Sequence, residues 1–163
     1  MRFHSEHHFD APVEAVEAIL VDPAFYLGLI LPDLSTPELL DQRSDGDTTT
    51  LKLRYEFVGS LDPIAQRLLG SNRLAWIQAV ELDRSAHSGT LRFEAEKDPR
   101  RLHGSAAFVL APDGAGSVRR LDGDLVVAVV GIGRMAERRI VPGIVHRLDI
   151  EAEALSDRLP SRE

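Results

Sequence analysis

The strongest constraint on this chain lies in its C-terminal portion. From Val141 onward the apolar residues include Val141, Ile144, Val145, Leu148, Ala152, Leu155 and Leu159. Spaced i, i+3, i+4, i+7, they share one face of a helix. Arg147, Glu151, Asp157 and Arg158 are expected to fall away from that face. A helical segment over residues 131–159 must bury its apolar stripe against another layer. The only large partner in the sequence is a series of β-strands upstream. A long helix lying on a curved antiparallel sheet often leaves a ligand-sized space beneath it.

The apolar run over 125–130 enters this helix through Gly131-Ile132-Gly133-Arg134-Met135-Ala136. Those residues match the G-x-G-x-x-G/A dinucleotide fingerprint, with a strand before and a helix after. Such a site would hold a pyrophosphate on the free N–H groups of the helix N-terminus. It also needs a second parallel strand after the helix, ending in an acidic residue. No strand follows here, and Asp149, near the right distance, sits within helical periodicity. The two glycines are therefore expected to serve the strand-to-helix turn alone, and no cofactor is expected. Pro142 removes a backbone hydrogen bond and Gly143 weakens the helix further. Ile132, Met135, Ala136 and Ile140 point nearly opposite to the later stripe on a straight helix. A kink or break is thus expected over 139–143.

With 163 residues, 44% of them hydrophobic and 28% charged, the chain can bury one sizeable core. The net charge of −7 argues against nucleic acid as a partner. Cysteine is absent, which excludes disulfides and thiolate metal sites. The N-terminus lacks the apolar core of a signal peptide, and the longest apolar run is too short to span a bilayer. A soluble, cytoplasmic protein is expected. Basic residues are nearly all arginine, which suggests a GC-rich bacterial source.

Taken in order, Phe3, Ser5, His7 and Phe9 alternate with Arg2, His4, Glu6 and His8 as a strand with the phenylalanines inward. Asp10 and Pro12 signal a helix with Val13, Val16, Ile19 and Leu20 buried. Asp22-Pro23 signals a second, carrying Phe25, Tyr26 and Leu29. Six strands follow, separated by Asp45-Gly46, His87-Ser88-Gly89, Asp98-Pro99 and Pro112-Asp113-Gly114. Their tight turns imply antiparallel pairing. One connection, residues 60–72, is too long for a hairpin. Asp62-Pro63 starts a short amphipathic helix there, with Ile64, Ala65, Leu68 and Leu69 apolar and Gly70 stopping it. No repeat or linker divides residues 1–163, so a single domain is expected.

Strand, two short helices, six antiparallel strands and a long helix form an order that resembles the helix-grip fold of the START and birch-pollen-allergen superfamily. That superfamily includes polyketide cyclases and lipid-transfer proteins. The resemblance rests on Phe9-Asp10-Ala11-Pro12-Val13-Glu14-Ala15-Val16, on Asp22-Pro23, and on the closing strand with its glycine and helix. It covers essentially the whole chain and is nearest to uncharacterised bacterial branches. It implies an α+β fold, a curved antiparallel sheet of about seven strands (β-α-α-β6-α) wrapped on the C-terminal helix. It also implies a small hydrophobic or lipid-like ligand between sheet and helix. A minority of the superfamily catalyses cyclisation or dehydration there. The 60–72 helix and Pro142 depart from the pattern.

On this expectation the cavity is lined by His7 and Phe9 from the first strand and by Tyr55, Phe57 and Trp76 from the central ones. Phe93, Phe108, Val145 and Leu148 complete it. Tyr55 and Trp76 each carry an apolar body and a polar tip, which suits orienting an apolar guest. Ile64, Leu68 and Pro142 are expected at a gate, where the inserted helix faces the weak point of the final one. His4 and His8 share one strand face and His7 takes the other, so the three cannot meet one metal from this strand. His7, on the inward face, is the candidate acid or base. A cyclase- or dehydratase-like enzyme using His7 and Tyr55 is the alternative to simple binding. A protein-interaction module with a filled cavity is the third reading. Asp122 and Asp124 are expected on a solvated strand face.

Overall fold

The computed structural model describes residues 1–69 and 73–160, and of Leu68 and Leu69 only the backbone. Seven strands form one antiparallel sheet: β1 (Arg2–Phe9), β2 (Glu38–Asp45), β3 (Thr48–Glu56), β4 (Ala75–Asp83), β5 (Ser88–Ala95), β6 (Leu102–Asp113) and β7 (Gly116–Val127). Their spatial order is β1-β7-β6-β5-β4-β3-β2. The six later strands make a meander, and β1 closes against the last of them. Helices α1 (Val13–Leu20) and α2 (Pro23–Leu27) follow β1, α3 (Pro63–Leu69) lies between β3 and β4, and α4 (Gly133–Arg158) ends the fold. α4 packs on β1 and β7. The fold is the helix-grip fold.

Alternation fixes which face of each strand is buried. On β1, Phe3, Ser5 and Phe9 are buried and His7 is nearly so, while Arg2, His4, Glu6 and His8 are exposed. Leu51, Leu53 and Tyr55 on β3, Gln78, Val80 and Leu82 on β4, and Leu121 and Leu125 on β7 continue that inner face. Three aromatic rings lie flat on it. Phe3, Phe93 and Phe108 each sit opposite a glycine of the neighbouring strand: Gly123, Gly104 and Gly89. A Cβ on Gly104 would fall 2.2 Å from Cζ of Phe93, so the missing side chain is what admits the ring. Of the expected aspartates, Asp122 is exposed and bonds His4, and Asp124 pairs with the N-terminal amine.

Helix starts follow the sequence signals only in part. Asp22 accepts from the N–H of Ala24 with Pro23 at the first helical position. Asp62 accepts from the N–H groups of Ile64 and Ala65 at 2.9 and 2.8 Å. Asp10 does not cap α1; Pro12 occupies that position with no side-chain cap. Gly70, the expected stop of α3, lies outside the described residues. Behind α1, the carboxylate of Glu17, 1% exposed, accepts from Nδ1 of His87 at 2.7 Å and ties the helix to the β4–β5 turn.

The final helix corrects the expected break and the expected opposition of its two apolar groups. It runs unbroken from Gly133 to Arg158 through Pro142. Pro142 is exposed, so the carbonyl that loses its partner can turn to water. Ala136 is buried and Ile140 packs on the core, so they extend the later stripe instead of opposing it; Met135 is the exposed one. The strand before the helix ends at Val127, and Val130 is fully exposed. Gly131 takes a φ of +86°, and a Cβ on Gly133 would strike the carbonyl oxygen of Val127 at 2.2 Å. Both glycines thus serve the turn. Every strand pairing is antiparallel, so the parallel neighbour of a dinucleotide unit is missing among the described residues.

Candidate functional site

Between the inner face of the sheet and α4 lie two clusters of polar side chains in a largely apolar interior. The first joins β1, β7 and α4. Arg119, 3% exposed, donates from Nη1 to Oε1 of Glu151 at 2.8 Å. Its Nη2 donates to Nδ1 of His7 at 3.3 Å, and His7 donates from Nε2 to Asp149 at 2.9 Å. The network thereby fixes the tautomer, with the proton on Nε2. Burial lowers the basicity of His7 and the Arg119 charge lowers it further, against the opposing pull of Asp149.

The second group joins β3, β4 and α4. Tyr55 and Trp76 face each other in register and stack, with centroids 5.6 Å apart and planes 13° from parallel. The Arg147 guanidinium lies 4.3 Å above the Tyr55 ring and 5.8 Å from that of Trp76. Its Nη2 donates to Oε1 of Gln78 at 2.6 Å, and Gln78 is itself 2% exposed. Burial holds the Tyr55 phenol above its ordinary value, with Arg147 opposing. The phenolic oxygen has no hydrogen-bond partner among the described residues; the same holds for Oγ of Ser5 and Nε of Arg119.

The expected cavity residues are distributed around these groups. Phe9, Tyr55, Phe108 and Leu148 belong to the buried core, and Trp76, Phe93, Val145 and Ile64 pack against it. Phe93 stands in register beside Gln78. Phe57 is half-buried beyond the end of β3, bridged to Leu34, and is not part of that core. Pro142 is exposed, and the side chain of Leu68 lies outside the described residues. His7 and Tyr55 are not hydrogen-bonded to each other; each belongs to a different polar group.

Glu151 and Arg147 correct the sequence reading, which turns both away from the buried face. Glu151 is 6% exposed, and Arg147 reaches under the helix to the sheet. Gln78 and Arg119 are further inward residues that the sequence reading does not single out. Each has a signal in the sequence. Gln78 shares strand parity with Trp76 and Val80, Arg119 with Leu121, and Glu151 lies three residues after Leu148 and four before Leu155. A polar residue at an inward position is the informative exception in a buried face.

The outer face of the sheet carries an open groove of about 640 Å³, floored by Ile77, Ala79 and Val126 and edged by Lys52, Arg92 and His103. Among the described residues, no group of histidine and carboxylate side chains could hold a metal ion. No described helix is long and apolar enough to cross a membrane.

The architecture is shared with solved structures that show the fold and no more. A START superfamily protein from Mycobacterium smegmatis is 17% identical, with a TM-score of 0.60 over 97% of this chain and 96% of that one. Ara h 8.0201 is 13% identical at 0.58, covering 96% and 98%. The protein TTHA0849 from Thermus thermophilus is 18% identical at 0.63, covering 97% and 96%. No curated protein matches the sequence. A family model does: over residues 4–159 the chain belongs to DUF2505, a family of proteins of unknown function.

Proposed function

We propose that this protein binds a small, largely apolar molecule between the concave face of its sheet and α4. The observation that carries this reading is the set of three unpartnered polar atoms there: Tyr55 Oη, Ser5 Oγ and Arg119 Nε. A finished core pairs its buried polar groups, because each one left alone costs about 1–3 kcal/mol. A guest with one polar end, or water held beside it, would satisfy them. The helix-grip fold is consistent with such binding, and the aromatic residues Trp76, Phe93 and Phe108 supply an apolar wall.

Entry is proposed at α3 and the first half of α4, with Ile64, Leu68 and Pro142 at the mouth. What supports this is the contact of Arg139 with Asp62 at 3.4 Å, which joins the two segments. Both side chains are substantially exposed, so the ion pair is weak and easily opened. Native mass spectrometry of the protein purified from cells, followed by organic extraction, tests the central reading. A stoichiometric apolar small molecule is expected. Protein at its bare mass that also fails to take up added decan-1-ol would contradict it.

A further inference from the structure

The two arginines under α4 differ in one respect. Arg119 has a carboxylate partner, Glu151, at 2.8 Å. Arg147 has none among the described residues; its donors meet the neutral amide of Gln78 and lie close to the Tyr55 phenol oxygen. A guanidinium carries five N–H donors in a planar fork, so most of this one's donors remain unused. They are held in place. The cation is sandwiched against the Tyr55 ring, braced by Gln78, and set beside the Tyr55–Trp76 stack. Next to it lies the Tyr55 phenol, 0% exposed, a donor without an acceptor. A half-buried positive charge with no ion-pair partner among the described residues thus lies beside an idle O–H, within a protein of net charge −7.

We infer that Arg147, Tyr55 and Gln78 form the head-group end of the cavity and take the carboxylate of an apolar carboxylic acid. This rests on the cavity reading above. A carboxylate accepts from the free edge of the guanidinium and from the phenolic O–H at once. It neutralises the charge and satisfies the orphaned donor, while the apolar body lies against Trp76 and Phe93. Charge-assisted bonds of this kind are roughly twice as strong as neutral ones. A neutral analogue of the same shape keeps the apolar contacts and loses the charge assistance.

The test is calorimetric titration near neutral pH with naphthalene-2-carboxylate, naphthalene-2-carboxamide and decan-1-ol. The wild-type protein is expected to bind the acid at least about tenfold more tightly than the amide. Arg147→Gln abolishes that preference, weakening the acid at least about tenfold more than the amide. Arg147→Lys retains part of it, because the charge stays but the planar fork is lost. Tyr55→Phe weakens the acid several-fold and the amide less. Equal binding of acid and amide by the wild-type protein overturns the inference, as does a preference that survives in Arg147→Gln. If decan-1-ol binds and the acid does not, the head-group assignment fails and the cavity stands. If none of the three binds, both fail.

Discussion

At His7, burial and the Arg119 charge outweigh Asp149 and disfavour protonation; at His87, the Glu17 carboxylate favours it. The consequences for stability have opposite signs. Folded His87 holds its proton more tightly than the unfolded chain does, from an ordinary value of 6.5. Its contribution is complete below that value and is lost as pH rises through the raised folded one. Folded His7 holds its proton less tightly, so stability is lost as pH falls from 6.5 through the lowered value. Asp149 and Glu151 from α4 and Arg119 from β7 are the charges that act on His7. Thermal melting followed from pH 5 to 8 should therefore show His87→Gln flattening the alkaline fall and His7→Gln flattening the acid one. A slope unchanged in either variant would remove that histidine from the account. The Arg119–Glu151 pair is a separate matter. Both side chains are almost wholly buried, so removing one charge strands the other. Glu151→Gln should destabilise by about 3–5 kcal/mol in urea unfolding, and Arg119→Met with Glu151→Leu by much less. A small loss in the single variant would mean that water reaches the pair. Such residues are hard to find in sequence. A charged side chain one step off an apolar stripe reads as solvent-facing, and only the partner on another element shows that Glu151 and Arg147 turn inward.

Among the elements, α3 and the first half of α4 form the proposed gate. α3 has seven residues, too few to be stable without its contacts. Asp62 caps it and also meets Arg139, so one carboxylate serves both the helix start and the link to α4. Hydrogen exchange should find fast amides over 61–69 and 133–141 that slow when decan-1-ol is added, while 144–156 stays protected throughout. Uniform protection over 133–156 in the free protein would remove the gate, as would exchange over 61–69 that ignores the added alcohol. The unbroken run through Pro142 makes this a sharper test, since no break in α4 separates its halves. Element order and strand parity are legible in the sequence because alternation and turn residues are local: β1 shows its inward face in Phe3, Ser5, His7 and Phe9. Continuity of α4 is not legible. Proline's cost depends on whether its side of the helix meets water, and that is decided by packing against β1 and β7.

For the molecule as a whole, two faces of one sheet are candidates for the proposed guest. The inner face lies under α4 and holds the unpartnered polar atoms beside apolar walls. The outer face holds the open groove over Ile77 and Val126. Among the described residues only the inner one is closed by a second layer, and enclosure is what lets an apolar guest leave water. The fold shared with START-like structures does not by itself establish function. Methyl-group NMR during titration with decan-1-ol separates the two directly. Shifts are predicted at Leu53, Val145 and Leu148 on the inner side, with Ile77, Val109 and Val126 on the outer side unmoved. Shifts confined to the outer set would contradict the account, and so would saturating alcohol that moves neither.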